Sequence, residues 1–296
     1  MNEEGVHIPL CTPMSALLKL LEQDLRSLSE VRDAKRFPEV KEAAERALLR
    51  LRSVSKSLRP EASVAEQAAA VAGIDDDGSA VMLVPFMLAL ASKSDALPLC
   101  ALGAVQRMIS HGAVAPQRLP TVASQLIARA QLPSADESSL LKVLQTVLTI
   151  ASSPALLYSD TTVSQLLLLC LSLQQSRSPT IKNTASATVQ QFVALLLDAV
   201  AAESGTLTPS AAADADAERH EAADASAPVA PTAAELSALS VAARCAYQAI
   251  QDLCLLANGD PALWLPGSVR RRAAAASEGP PPPSRRRPAA AAQPPL

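Results

Sequence analysis

"LLKLLEQDLRSLSEVRDAKRFPEVKEAAERALLRLRS", residues 17 to 53, decides the fold class, because its leucines and alanines recur at helical rather than strand spacing. Leu17, Leu18, Leu21, Leu25 and Leu28 share one side of a helix that starts at Thr12 as N-cap, with Pro13 at its first position. Pro38 opens a second helix. It carries Glu39 and Glu42 in its first turn and Arg50, Arg52 and Lys56 toward its end, the charge order favoured by the helix dipole. Its apolar stripe is Val40, Ala44, Ala47, Leu48 and Leu51.

The same grammar runs onward. "VMLVPFMLALAS" from Val81 is apolar almost all round, which places a helix inside the core. "ALPLCALGAVQRMISHG" follows after a very short connection, with Gly112 placed to end it in a left-handed conformation. "QRLPTVASQLIARAQL", "ADESSLLKVLQTVLTIASS", "TTVSQLLLLCLSLQQS" and "SPTIKNTASATVQQFVALLLDAVAAE" are further helices separated by Pro, Ser and Asp. Short loops make neighbours antiparallel. The expected fold is therefore all-α, an armadillo- or HEAT-like stack of antiparallel helices, an α-solenoid, although no strict repeat period is visible.

Composition agrees: of 296 residues 49% are hydrophobic, enough for a sizeable core, but only 2% are aromatic and nine are glycine. Leu21, Leu25, Leu48, Phe86, Leu144 and Phe192 are expected in that core. The organisation expected is an N-terminal tail over 1–13 and a helical domain over 14–203. An Ala-, Asp-, Pro- and Ser-rich linker, too poor in large apolar residues to order itself, covers 204–232. A new helix begins near Ala233 and runs through "QDLCLLANGDPALWL", residues 251 to 265, with its glycine stop and the chain's only tryptophan. Residues 233–266 read as the opening of a second domain, which the family resemblance given below implies is truncated, followed by a disordered Pro/Arg/Ala tail over 267–296.

Catalytic chemistry finds no support. The five cysteines, Cys11, Cys100, Cys170, Cys245 and Cys254, are odd in number, widely spaced and mostly within apolar runs, as small buried hydrophobes of a reducing compartment are. His7, His111 and His220 are too scattered to share a metal with them, and the carboxylates around His220 read as a solvated acidic linker. No phosphate-binding, nucleophile-elbow or zinc-hydrolase string occurs, so no cofactor and no enzyme activity is expected. The N-terminus lacks the pattern of a signal peptide, and "LLLLCLSL" is far shorter than the roughly 20 residues of a membrane span.

A net charge of −3 gives no global pull toward nucleic acid, and the arginine runs at 270–272 and 285–287 lack interleaved aromatics to stack on bases. The basic residues of the first two helices, Arg32, Lys35, Arg36, Lys41, Arg46, Arg50, Arg52, Lys56 and Arg59, carry more information. They form either a solvated face or a docking face for an acidic partner or lipid headgroups, with Arg36, Lys41, Arg50 and Lys56 as candidate contacts.

Four strings in this order, the opening quotation, "ALGAVQRMISHGAV" at 101–114, "LLKVLQTVLTI" at 140–150 and "KNTASATVQQFV" at 182–193, carry a family resemblance. They resemble the dimerisation and cyclophilin-binding domain of the Mon-two-like, Sec-seven-related trafficking scaffolds, over most of residues 14–202. "AYQAIQDLCLLANGDPALWL" at 246–265 is similar to the start of the homology-upstream-of-Sec-seven domain that follows there. The resemblance implies an all-helical, non-catalytic scaffold, cytoplasmic and peripheral to Golgi and endosomal membranes. It also implies an Arf-like small GTPase and a Dopey-family protein as partners, and self-association. Two alternatives stay open: the regulatory N-terminus of an Arf guanine-nucleotide-exchange factor, and a generic armadillo-like cargo adaptor.

Overall fold

The computed structural model describes residues 16–30, 36–59, 61–75, 80–94, 96–154, 159–205 and 232–265. Among them are eleven α-helices and no strand: α1 (Ala16–Glu30), α2 (Pro38–Ser57), α3 (Val64–Gly73), α4 (Val84–Ala91), α5 (Ala96–Ser110), α6 (Leu119–Gln131), α7 (Glu137–Ala151), α8 (Asp160–Leu173), α9 (Pro179–Gly205), α10 (Ala233–Ala238) and α11 (Val241–Ala257). They stack in two layers. In one, α1, α5, α7 and α9 lie side by side; in the other, α2, α4, α6 and α8 do, and α11 closes the end against α9 and α8. This is the helical stack that the periodicity predicts.

The helix ends follow local chemistry. Pro38 stands in the first turn of α2, where a missing N–H costs nothing. Ser63 and Glu66 cap α3 reciprocally, and the side chains of Asp136, Ser159 and Ser240 accept from backbone N–H groups at the starts of α7, α8 and α11. Beyond α5, Gly112 takes φ +70° as expected; a Cβ there would touch nothing within 4 Å, so conformation and not space requires the glycine. Gly259 plays the same part beyond α11, at φ +84°. The predicted Thr12–Pro13 start of α1, the 1–13 tail, most of the 204–232 linker and the 267–296 tail lie outside the described residues.

Leu17, Leu21, Leu25 and Leu28 of α1, and Val40, Ala44, Ala47, Leu48 and Leu51 of α2, are buried as predicted, as are Phe86, Leu144 and Phe192. Two elements are shorter than their patterns. The "VMLVPFMLALAS" segment is helical only from Val84, because Pro85 lies in the first turn and cannot donate upstream. Ahead of it, Met82 N–H donates to the Asp75 carboxylate at 2.8 Å instead. The helix predicted from Ala233 breaks at Leu239 and Ser240, where Ser240 starts α11 as a new N-cap. By contrast α9 runs 27 residues. Its length and apolar content would suffice to cross a bilayer, yet Ile181, Ala185, Phe192 and Leu196 are buried against its neighbours.

Polar contacts between distant segments lock the stack. Arg107 of α5 grips Asp24 of α1 through two hydrogen bonds, one of 2.9 Å from Nε. Arg244 of α11 does the same to Asp160 of α8 at 2.8 and 3.2 Å, while Ser240 donates to Glu203 of α9. The buried Asp252 carboxylate accepts from the N–H groups of Leu263, Trp264 and Leu265 at 2.8, 2.9 and 2.6 Å. That clasp folds the irregular segment after α11 back, so Ala262 and Leu265 join the same apolar cluster as the earlier helices, with Trp264 half-buried against it.

Leu144→Ala removes a fully buried side chain at the centre of α7 and should cost about 2–5 kcal/mol in urea denaturation. An unchanged midpoint would place Leu144 outside the core. Asp24 supplies a pH signature: burial pushes its carboxyl above the ordinary range, and the Arg107 guanidinium opposes that. A carboxyl raised in the folded state favours folding below its unfolded value and loses that contribution as pH rises through the folded one. Arg107→Ala removes the opposing charge, so the variant should lose about 1–2 kcal/mol at neutral pH and recover as pH falls through the raised folded value of Asp24 toward the ordinary carboxylate range. The figure is set below that for a closed pair because the Arg107 side chain is 38% exposed. Equal losses at pH 4 and pH 7 would refute this coupling.

Candidate functional site

The second helix presents the predicted basic residues to solvent, and it does so because its inner face is already committed. Val40, Ala43, Ala44, Ala47, Leu48 and Leu51 pack inward, leaving Lys41, Arg46, Arg50, Arg52 and Lys56 exposed. Arg36 and Arg59, flanking the helix, are exposed as well, while Arg32 and Lys35 lie outside the described residues. The four candidate contacts are thus all at the surface.

They do not form one cluster. At about 100° per residue, Lys41 and Arg50 project from opposite edges of the exposed arc, roughly 13 Å apart along the axis. Lys56 stands between those edges. Lys41 lies 3.9 Å from Glu45, a loose exposed pair, whereas Arg36, Arg50 and Lys56 form no ion pair among the described residues. Arg52 reaches Glu22 of α1 at 3.0 Å, and Arg26 reaches the same oxygen at 2.7 Å. The hydrogen bond from Arg52, helped by the charges of both arginines, holds the Glu22 carboxyl below its ordinary range.

Charge is segregated along α2. Glu39, Glu42 and Glu45 accompany Lys41 in the first half, while from Arg46 through Arg52 and Lys56 to Arg59 every charged side chain is positive. In the middle, on the outermost line of the helix, stands Leu49 at 66% exposure. Reading the sequence as a basic stretch misses this leucine, because it hides in "ALLRL" beside the buried Leu48. The signal was present: Leu49 falls opposite the Val40–Ala47–Leu51 stripe by helical phase. A positive face with one protruding apolar side chain can hold an anionic surface by charge and grip it by partial insertion.

Other features offer less chemistry. A cleft of about 720 Å³ opens where α5 and α7 end, lined by Ile109, Gly112, Val114, Leu119 and Leu148 among others, with no titratable side chain. The hydroxyls of Thr149 and Ser152 in its wall bond to backbone carbonyls of their own helix at 3.0 and 2.9 Å. Among the described residues no three His, Cys, Asp or Glu side chains come together as metal ligands would. Burial pushes the thiols of Cys170 and Cys245 up to about 12, and that of Cys100 upward too, which keeps them protonated. The expectation of buried cysteines fails at Cys254, which is exposed on the outer side of α11; Cys11 lies outside the described residues. His220 and both arginine runs of the tail also fall outside them.

Comparison with known proteins adds a second line of observation. Residues 12–204 match the family described as the Mon2/Sec7/BIG1-like dimerisation and cyclophilin-binding domain. The chain is 29% identical to the human Protein MON2 homolog over 257 residues and 30% identical to the Xenopus laevis Protein MON2 homolog over 256. It is 28% identical to the Caenorhabditis elegans Monensin-resistant homolog 2 over 252 residues. These alignments cover 85% of the chain but only 13–14% of each relative, so the chain spans about one-seventh of their length.

Proposed function

The chain belongs to the Mon2/Sec7/BIG1-like family through its dimerisation and cyclophilin-binding domain, and on that premise we propose that it is a non-catalytic scaffold of vesicle and protein trafficking. In this reading it works at the cytoplasmic face of Golgi and endosomal membranes, bound peripherally. It pairs with a second copy, which the family description as a dimerisation domain supports. An Arf-like small GTPase and a Dopey-family protein are its partners. Residues 233–266 open the next helical unit, the homology-upstream-of-Sec-seven domain. The relatives named above are MON2 homologues, which favours this reading over the regulatory region of an exchange factor.

The observation that carries the membrane part is the all-basic second half of α2, with Leu49 exposed within it. Juxtaposed lysines and arginines are attracted to anionic headgroups by about 1 kcal/mol each near the surface. Exposed charges of this kind contribute little to folding. Arg36, Lys41, Arg50 and Lys56 span the whole exposed arc, so whichever edge of α2 meets the bilayer, at least one of them touches it.

The triple reversal of Lys41, Arg50 and Lys56 to Glu should weaken co-sedimentation with phosphatidylserine vesicles by roughly tenfold or more, most at low salt, with an unchanged melting temperature. Binding that survives the reversal at low salt returns these residues to an ordinary solvated face. Binding to an acidic protein but not to vesicles would instead identify a protein as the occupant.

A further inference from the structure

The last two turns of α2 read "RLRSVS" over residues 50 to 55. Arg50 and Arg52 precede Ser55 by five and three residues, a charge pattern of the kind by which arginine-directed serine/threonine kinases, with acidic pockets in their substrate clefts, select substrates. We propose that Ser55 is a phosphorylation site for such a kinase, and that the phosphate switches off the basic face of α2. The switching half rests on the membrane docking proposed above; the acceptor assignment does not.

The structure makes the acceptor reachable. Ser55, Arg50 and Arg52 are all exposed, and Ser55 lies in the final turn of the helix, which ends at Ser57 with Leu58 extended. That turn is closed by the Leu58 N–H bond to the Val54 carbonyl at 3.1 Å and by the Ser57 hydroxyl on the same oxygen at 2.8 Å. A kinase cleft takes an extended segment, and helix termini open locally at low cost. Unwinding from Arg52 onward disturbs the half-buried Val54 and Leu58 and leaves Leu51 seated in the core. Arg52 must also leave Glu22, which keeps Arg26 as its partner. Ser53 and Ser57 fit less well: Ser53 has no arginine five residues before it, and Ser57 has Val54 three residues before it.

In the reaction the γ-phosphoryl group of Mg-ATP passes to the Ser55 hydroxyl oxygen. The bond from γ-phosphorus to the bridging oxygen breaks, ADP leaves, and the hydroxyl proton goes to the kinase base. The product carries about −1.5 to −2 charges amid Arg50, Arg52, Lys56 and Arg59. It offsets up to about half of that positive charge and so weakens the attraction to an anionic surface, and it also sits at the negative end of the helix dipole, so the last turn loosens.

The test uses the full chain, the catalytic subunit of an arginine-directed kinase, Mg-ATP and mass-spectrometric site mapping. Phosphate is expected on Ser55, absent in Ser55→Ala and reduced more than tenfold in Arg52→Gln, with melting curves showing both variants folded. The phosphorylated chain should bind phosphatidylserine vesicles roughly tenfold more weakly, while unphosphorylated Ser55→Ala binds as the parent does. No phosphate on Ser55 of the folded chain, phosphate on Ser53 alone, or incorporation indifferent to Arg52→Gln overturns the acceptor assignment. Equal vesicle binding before and after phosphorylation overturns the switch. Phosphate on Ser55 in a chain that never binds vesicles supports the acceptor, and overturns the docking proposal together with the switch.

Discussion

A guanidinium with 1% of its side chain exposed must be satisfied in place, and that requirement at Arg129 governs how the middle of the stack meets. Its Nε donates to Ser139 Oγ at 3.0 Å, its Nη1 to the Ser92 carbonyl at 3.1 Å, and its Nη2 lies 4.0 Å from the Asp136 carboxylate. Those partners are the C-cap of α4 and the N-cap and a first-turn residue of α7. Arg129 itself stands in the last turn of α6, where a cation suits the dipole. One side chain thus ties three helices from both layers. Apolar residues of similar volume could match its contribution to stability; what they would not supply is the orientation that these hydrogen bonds impose.

The ends of the stack use the same device with weaker burial. Asp24 and Arg107 pin α1 across to α5, and Asp160 and Arg244 pin α11 to α8, each linking residues more than eighty positions apart. Asp252 goes further, since a buried carboxylate that accepts three backbone N–H groups turns an irregular segment into an ordered one. Between these clasps the packing is carried by Leu, Ala and Val, whose small and similar shapes allow helices of one layer to follow one another.

The buried thiols are held protonated, and the α5–α7 cleft is lined by apolar side chains and hydroxyls with no titratable group among them. What the exterior offers is shape and charge, most distinctly the mixed first half and all-basic second half of α2. Arg50 belongs both to the proposed anionic-surface contacts and to the pattern that marks Ser55, so attraction and its removal meet at the end of α2.

The amino-acid order by itself determined everything that depends on neighbours within a turn or two. The buried stripes of α1 and α2, the left-handed stop at Gly112 and the all-helical class were all legible, because side chains three and four residues apart must share a face. The exposure of Leu49 was legible in principle through the same phase. Only the tertiary structure decided where long-range partners fall. Nothing in the sequence singles out Arg129 or Asp252, and Cys254 reads there as a buried hydrophobe although it is exposed. Burial and pairing at these positions depend on which segment packs there in three dimensions, and helical periodicity carries no information about that.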